Sequence, residues 1–419
     1  MKQLPAWITS ILLAASVASC AVLPAFDGHI ASEAVVGAEA GPEQAVEAQP
    51  LPEGARAVHM VSGHASLVVA TGSTGEVWRW GALDAELGSP PWVGAVMHRD
   101  PVAIVTNRAW SMAAAGSAHL VLVSRQGELF TWGNNAANAL GLGEGFSHVR
   151  FSVDANRIAG SHDWAAAYAF GDRSYAITSD GYVFSWGNPA YGALGIGELT
   201  PENPALTLFE FWGPTDRVEE LAVAVPERIA SIADIDSLAP GRDFVIARDR
   251  SGRLYGWGRN ETGSLGLGDR MNRYEPHRIS LTEPVTEIAA GEDTAFAITE
   301  SGLLYGWGSI RSRAGAQSVS GVQDLPVLLF PEYRWLSVAS GHHRGRSTVV
   351  TPVSYGVSRA GDLYFWDDAA REPARVAADP GGWARVFVTE IQIIGLRSNG
   401  AVYTWHHGDP VPSEYHSLP

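Results

Sequence analysis

The sequence predicts an all-β fold of seven repeated units arranged around an axis, and three observations support it. The pattern Gly-x-(Leu/Val)-aromatic-x-Trp occurs seven times. Its Trp residues are 52, 54, 71, 50, 59 and 39 residues apart, so the repeats fill the chain from about residue 56 onward. Each copy has strand periodicity with apolar residues on both faces, so both faces must be covered by neighbouring units. The seven copies lie at 75–80, 127–132, 181–186, 252–257, 302–307, 361–366 and 400–405.

Composition excludes several classes of function. The 419 residues carry a formal net charge of −16, which disfavours a surface that follows nucleic-acid phosphates. Lys2 is the only lysine, so a P-loop lysine, a kinase lysine and a Schiff-base lysine are excluded. Cys20 is the only cysteine, which excludes disulfides, Cys-ligated zinc, iron–sulfur clusters and thiol catalysis inside the fold. We therefore expect no nucleic-acid partner and no cofactor.

Residues 1–19 have the features of an export signal. Lys2 supplies a positive charge, residues 4–17 form an apolar stretch that is short for a bilayer span, and Val-Ala-Ser directly precedes Cys20. This arrangement resembles a bacterial lipoprotein signal. The resemblance implies that residues 1–19 are removed and that Cys20 is lipidated, whereas a stray thiol is the alternative for Cys20. It also implies export to the cell envelope, at the outer membrane in a Gram-negative bacterium because Ala21 follows the cysteine.

The segment 20–55 is predicted to be a disordered tether. Residues 21–55 are rich in Ala, Glu, Pro and Gly, contain no Lys or Arg, and have Phe26 as their only aromatic residue. Such a composition cannot bury enough apolar surface to offset chain entropy. We therefore expect one folded domain, residues 56–419, attached to the membrane through this tether.

Two further patterns define the parts of each unit. Short runs of small residues precede the Trp motif, and we expect these strands to line a central channel that has room only for short side chains. They lie at 60–63, 113–116, 158–160, 288–291 and 338–341. Leu-Gly-(Leu/Ile)-Gly follows the Trp in three units, at 140–143, 194–197 and 265–268. We interpret these as turns; a phosphate-binding loop at 141–145 is disfavoured because no helix pattern follows it.

Together these residues resemble the regulator of chromosome condensation repeat. The resemblance rests on Trp-Gly-x-Asn or Trp-Gly-Asn, then Leu-Gly-Leu-Gly, then a small-residue strand and Gly-x-Leu-Tyr-x-Trp-Gly, and it covers residues 56–419. It implies a seven-bladed β-propeller. Kelch repeats, which have a similar length, fit less well because they carry paired glycines and a different Tyr-to-Trp spacing. Asp367 and His406 replace the Gly after Trp in the last two units.

The two ends of the repeat region predict how the ring closes. The first unit begins directly at its small-residue strand, and the chain continues for 14 residues beyond Trp405. An open ring would expose a strand edge and an apolar face. We therefore predict that residues 410–416 supply the outer strand of the blade containing Trp80, with Val411 and Tyr415 as apolar contacts.

No motif predicts catalysis or metal binding. The pairs His342-His343 and His406-His407 are adjacent, and adjacent strand residues point to opposite faces, so neither pair can chelate a metal from a strand. Acidic neighbours at 219–220, 234/236 and 367–368 are more typical of solvated loop charges than of an acid–base pair. We therefore expect no catalytic residues and no metal site.

Three tryptophans are not required by the repeat, and they are the candidate binding residues. Trp92, Trp164 and Trp212 lie in segments outside the predicted repeat strands. One interpretation is that each ring packs under its own insertion. The other is that these rings, together with Phe209 and Phe211 in the longest insertion, are anchors for a protein partner, because Trp is enriched at binding hot spots on loops.

The predicted function is a lipid-anchored, monomeric cell-envelope propeller that binds another protein or acts as a scaffold, without catalysis. The resemblance implies relatives that include a nucleotide exchange factor for a nuclear GTPase and secreted bacterial inhibitors of β-lactamase. The export signal argues against the exchange role. Two alternatives stay open: an inhibitor of an envelope or β-lactamase-like enzyme, and an envelope enzyme that acts on polysaccharide with carboxylates across the propeller mouth.

Overall fold

The computed structural model describes most of the repeat region. The described residues are 57–62, 67–72, 75–83, 96–104, 108–146, 148–160, 162–198, 222–314, 317–344, 350–367, 372–376, 381–388, 393–398, 402–405 and 416–417. The predicted signal peptide, Cys20 as the predicted lipid-attachment residue, and the predicted tether lie outside these ranges.

The described strands form seven four-stranded sheets, and in each sheet the strands pair antiparallel in chain order. The strands of the first four sheets are β1 (Ala57–Ser62), β2 (Leu67–Gly72), β3 (Val77–Leu83), β4 (Val96–Ile104); β5 (Trp110–Ala115), β6 (His119–Ser124), β7 (Leu129–Asn134), β8 (Phe151–Arg157); β9 (Trp164–Phe170), β10 (Arg173–Thr178), β11 (Val183–Gly187), β12 (Val223–Arg228); β13 (Ile235–Pro240), β14 (Phe244–Asp249), β15 (Leu254–Gly258) and β16 (Arg273–Ile279). The strands of the last three are β17 (Val285–Ala290), β18 (Thr294–Thr299), β19 (Leu304–Ala314), β20 (Gln317–Leu329); β21 (Trp335–Arg344), β22 (Val350–Ser358), β23 (Leu363–Asp367), β24 (Ala374–Arg375); β25 (Trp383–Val388), β26 (Ile393–Arg397), β27 (Val402–Trp405) and β28 (His416–Ser417). Short 3-10 helices lie at Ala136–Asn138, Glu144–Phe146 and Ala190–Gly192.

The first strand of each sheet lies nearest the axis. These strands contact one another in the closed cycle β1, β5, β9, β13, β17, β21, β25 and back to β1. The arrangement is a β-propeller, as predicted, because sheets that are apolar on both faces cover each other around the ring. The small-residue segments at 113–116 and 288–291 lie in or directly after first strands, as expected. The segment 158–160 does not: it follows β8, and the small residues of the third sheet are Ala165, Ala166, Ala167 and Ala169 in β9.

The predicted ring closure is wrong. The outer strand of the first sheet is its own fourth strand, β4, which pairs with β3. At the C-terminus β28 pairs with β27, so the described end of the segment 410–416 belongs to the last sheet, not to the blade with Trp80. Every sheet is therefore built from consecutive strands, because the strand after each Trp motif folds back on its own sheet rather than opening the next. The first and last sheets meet by packing of β1 against β25.

The Gly that opens each Trp motif joins neighbouring sheets. Gly127 has φ 73°, a left-handed conformation that favours glycine, and its carbonyl accepts a 2.9 Å hydrogen bond from the N–H of Trp164, the first residue of the next sheet. The same bond recurs at 2.8–3.1 Å in six junctions, from Trp110, Trp164, Ile235, Val285, Trp335 and Trp383 to Gly75, Gly127, Gly181, Gly252, Gly302 and Gly361. The repeat spacing therefore sets both the strand turn and the link to the following sheet.

The Leu-Gly-(Leu/Ile)-Gly segments are turns that receive the Trp of the next sheet. Trp186 donates from its indole Nε1 to the carbonyl of Ala139 at 2.9 Å, and its ring covers Gly141. A Cβ on Gly141 would lie 2.7 Å from Trp186 Nε1, so only glycine fits beneath the ring. The equivalent pairs are Trp257 with Ala193 and Gly195, and Trp307 with Ser264 and Gly266. This contact confirms the interpretation of these segments as turns.

Candidate functional site

The two ends of the propeller carry different connections. Because strands alternate in direction, the first-to-second and third-to-fourth connections of a sheet lie at the same end. Hydrogen bonds between neighbouring sheets align these ends, from Ser117 N–H to the Gly171 carbonyl at 2.9 Å and from Arg242 N–H to the Glu292 carbonyl at 3.2 Å. We call this end the loop face. The opposite end, with the second-to-third turns and the links between sheets, is the turn face.

The loop face carries the longest elements of the propeller. The hairpin of β19 and β20 has strands of 11 and 13 residues, whereas β15 in the preceding sheet has 5. In the sixth sheet β21 has 10 residues, compared with 6 in β17. Because β19–β20 is a third-to-fourth connection and β21–β22 a first-to-second connection, both hairpins extend on the loop face. Propeller loops of this kind are where binding residues are expected on a rigid scaffold.

Four of the five predicted partner-binding residues lie outside the described residues. Trp92 falls in the sequence between β3 and β4, and Phe209, Phe211 and Trp212 fall between β11 and β12. Both segments are third-to-fourth connections, so the described strand ends that flank them lie on the loop face. Their role as partner anchors stays a prediction.

The fifth predicted residue, Trp164, lies in the core. It is 5% exposed, starts β9 on the turn-face side, and meets Phe184 edge to face with ring centroids 5.1 Å apart. Trp110 holds the same position in β5 and is 1% exposed. The geometry favours the interpretation in which Trp164 packs inside the fold. The repeat pattern left Trp164 outside the predicted strands because residues 158–160 resemble the small-residue strand.

Buried polar groups hold adjacent sheets in a fixed relation beneath the loop face. Arg173 in β10 is 5% exposed; its Nη2 donates to Asp243 Oδ1 at 2.7 Å and its Nη1 to the Arg242 carbonyl at 2.6 Å. His119 of the second sheet contacts Ser174 Oγ through Nε2 at 2.8 Å. Burial lowers the pKa of His119 to about 4, so the imidazole is neutral at pH 7. These contacts make the base of the loop face rigid.

A central cavity of about 610 Å³ lies between the first strands of sheets two to seven. The third residue of each of these strands lines it, and the six are Met112, Ala166, Ser237, Glu287, Ser337 and Arg385. Most wall residues are small or apolar, as the small-residue pattern predicts. Glu287 and Arg385 depart from that pattern, and sequence reasoning did not single them out. The sequence feature that could have identified them is a charged residue two positions after the start of a small-residue strand.

The charged groups of the cavity are held in defined contacts. Asp236 Oδ1 pairs with Arg248 Nε at 2.9 Å, and Arg248 also donates to the Thr286 carbonyl. Glu287 Oε1 accepts hydrogen bonds from Ser337 Oγ at 2.7 Å and from the Val338 N–H at 3.2 Å. Burial raises the pKa of Glu287, although the Ser337 hydroxyl and the charge of Arg385 oppose this shift.

This arrangement bears on the polysaccharide-enzyme alternative. Glycoside hydrolysis requires two carboxyl groups that flank one bond, one as acid and one as base or nucleophile. In the cavity the pKa of Glu287 is raised, but Asp236 is bound to Arg248, and Glu292 forms an ion pair with Arg242. The described cavity residues therefore do not include the pair of unpaired carboxyl groups that glycoside hydrolysis requires.

Within the described ranges, neither a metal-binding cluster nor a membrane-spanning helix is present. No group of three His, Cys, Asp or Glu side chains there could hold a metal ion. His342 and His343 lie at successive positions of β21, opposite Pro352 and Thr351 of β22. None of the helices in the described part of the chain has the length and apolar character of a membrane span.

The described sheets define the class of fold, a β-propeller, and one part of the chain matches a known repeat family. Residues 251–298 match the Regulator of chromosome condensation (RCC1) repeat. The structure of Kap60 bound to yeast RCC1 (Prp20) contains a similar chain, with a TM-score of 0.62 and 18% identity over 82% of this chain and 81% of that one.

Two of the relatives that match by sequence cover only part of this chain. The Ultraviolet-B receptor UVR8 of Arabidopsis thaliana is 29% identical over 177 residues, which are 39% of this chain and 32% of the receptor. The Probable E3 ubiquitin-protein ligase HERC6 of Homo sapiens is 25% identical over 213 residues, which are 50% of this chain and 18% of the ligase. The chain thus spans less than half the length of both relatives.

Proposed function

We propose that this chain is a protein-binding propeller that contacts its partner through the loop face and is held at the cell envelope by a lipid on Cys20. The observation that carries the binding proposal is the position of the longest described strands and of the segments that hold Trp92 and Trp212. The hairpins β19–β20 and β21–β22 extend on one face, and the sequence segments with Trp92 and Trp212 connect strand ends of that same face.

The rigid base under the loop face supports this proposal. Loops bind with less entropic loss when the scaffold holds their ends fixed. The ion pair of Arg173 with Asp243 and the contact of His119 with Ser174 join consecutive sheets close to the loop ends. Yeast RCC1, whose structure was solved bound to Kap60, is an instance of a similar fold with a protein partner.

The partner test uses one loop-face variant and one turn-face control. Purified chain should retain a specific envelope protein from an extract, and Trp212→Ala should weaken that complex by about 2 kcal/mol or more, since Trp anchors dominate interface energies. Gln126→Ala is the control, because Gln126 is exposed in the β6–β7 turn on the turn face. If Trp212→Ala lowers the melting temperature and spares binding, Trp212 is structural and its role as an anchor is wrong.

The anchoring proposal rests on the sequence before and at Cys20 and has its own test. A thioether-linked lipid requires the thiol, so Cys20→Ser should leave an uncleaved or released protein that no longer partitions with membranes. The measurement is detergent extraction of fractionated cells. Membrane association that is unchanged in Cys20→Ser would contradict the lipoprotein interpretation.

The inhibitor alternative differs from the scaffold in the partner alone. An inhibitor of a β-lactamase-like enzyme would also use the loop face, so the same variants apply, with loss of enzyme activity as the readout. A partner retained without any change in its activity favours the scaffold.

A further inference from the structure

Three polar side chains form an arc on the wall of the central cavity. Glu287, Ser337 and Arg385 are the third residues of β17, β21 and β25, so they lie at one level in three consecutive sheets. The same position holds Met112 in β5, Ala166 in β9 and Ser237 in β13, and the Ser237 hydroxyl is hydrogen-bonded to Tyr168. Neither strand pairing nor packing of the ring requires an acid and a base at this level.

The two charged members of the arc are incompletely bonded. Glu287 Oε1 accepts both hydrogen bonds, from Ser337 and Val338, and Oε2 has none among the described residues. Arg385 is exposed to the cavity and makes no ion pair or hydrogen bond with a described residue. The remaining charges at the cavity wall differ, since Asp236 is paired with Arg248 and Glu292 with Arg242.

The rest of the cavity suits an apolar body of moderate size. Next to the arc the wall includes Ile288 and Phe387, and Phe170 of β9 also lines the cavity; all three side chains are partly exposed. The volume of about 610 Å³ falls in the range of roughly 300–1,000 Å³ that is usual for small-molecule sites. Such sites combine apolar walls with a few converging polar groups, which is the composition found here.

We propose that the central cavity binds a small zwitterionic molecule with an apolar body, its ammonium group on Glu287 and its carboxylate on Arg385. Short peptides with aliphatic side chains and free termini belong to this class. A ligand with both charges satisfies the acid and the base together, whereas a singly charged ligand would leave one of them desolvated without a partner. An ammonium group beside Glu287 would also offset the burial that raises the pKa of this carboxyl.

The test is calorimetric titration of the purified full chain with the dipeptide Leu-Leu at neutral pH. We expect saturable binding, weakened about tenfold or more in both Glu287→Gln and Arg385→Gln, because each variant removes one charge-assisted contact. N-acetyl-Leu-Leu-amide, which has the same apolar body without charged termini, should not bind. Arg375→Gln is the matched control, since Arg375 lies in the outer strand β24 and pairs with Asp362 away from the cavity.

Three results would contradict the proposal that the central cavity binds a zwitterionic ligand. Absence of binding to the wild-type chain at millimolar dipeptide overturns the proposal. Equal binding of the capped dipeptide, or unchanged binding in both Glu287→Gln and Arg385→Gln, would show an apolar cavity in which the arc plays no part. Unfolding midpoints of each variant establish that lost binding is not lost folding, and the outcome is independent of the loop-face proposal because no loop residue is changed.

Discussion

The indole Nε1 of Trp186 donates a 2.9 Å hydrogen bond to the carbonyl of Ala139, which lies in the Leu-Gly turn of the preceding sheet. The Ala139 carbonyl also accepts a hydrogen bond from Ser174 Oγ at 2.8 Å. One turn carbonyl thus fastens two strands of the following sheet. Trp257 bonds to Ala193 in the same way at 3.0 Å, so the Trp contact is a repeated feature that sets how adjacent sheets pack. The second donor to Ala193, the Tyr175 hydroxyl at 2.9 Å, belongs to the same sheet as that turn.

Replacement of Trp186 tests the contribution of this bond. Trp186→Phe keeps an aromatic ring over Gly141 but loses the N–H donor, so we expect destabilisation from lost volume plus about 1 kcal/mol for the hydrogen bond. Trp164→Phe is the control, because it removes the same volume from a buried ring whose N–H makes no hydrogen bond with a described residue. Chemical unfolding should show the larger loss in Trp186→Phe; equal losses would mean that packing alone matters.

Gly141 and Gly145 differ in the space around them. This difference predicts that Gly145 tolerates substitution by alanine and that Gly141 does not. Gly141 has φ 64°, and a Cβ would lie 2.7 Å from Trp186 Nε1, whereas nothing lies within 4 Å of a Cβ on Gly145. Gly141→Ala should therefore cost about 2–4 kcal/mol through backbone strain and steric overlap. Gly145→Ala should change the unfolding free energy by less than about 0.5 kcal/mol. Similar values for the two variants would contradict the close contact of ring and turn.

The ion pair of Arg173 with Asp243 is predicted to matter more than an exposed one. Asp243→Asn leaves the buried guanidinium of Arg173 without its counter-charge, and we expect a loss of about 3 kcal/mol. Asp362→Asn breaks a similar pair with Arg375, whose side chain is 56% exposed, and should cost under about 1 kcal/mol. Urea unfolding at pH 7 compares the two. A smaller loss of stability in Asp243→Asn than in Asp362→Asn would show that the carbonyls bonded to Arg173 are enough to stabilise its buried charge.

His119 predicts how stability depends on pH. Its pKa is lowered by burial from 6.5 to about 4, so below pH 6.5 the unfolded chain takes up a proton that the folded chain does not. Stability is therefore lost as the pH falls from 6.5 towards 4, by about 3 kcal/mol from this residue alone. His119→Gln should flatten that part of the profile. His277→Gln, at an exposed position in β16, should leave it unchanged; a flattened profile in both variants would assign the slope to other groups.

Much of the strand pattern could be predicted because it depends on neighbours in the sequence. The alternation in each Trp motif and the glycine before it define a strand and its turn within a few residues. The pattern also identified Leu-Gly-(Leu/Ile)-Gly as turns. It did not assign the outer strands, since a strand such as β4 has the same local appearance whether it ends one sheet or begins the next. For the same reason Trp164 appeared to lie outside the repeat.

The sequence by itself determined that this chain is built from repeated, two-faced β-strands, because that information is local and recurs about every 54 residues. Only the tertiary structure decided which residues of different repeats meet. Glu287 and Arg385 are 98 residues apart in the chain and occupy the same wall of one cavity. That proximity follows from the closing of the ring, which brings equivalent positions of successive sheets to one level around the axis, and no local periodicity encodes it.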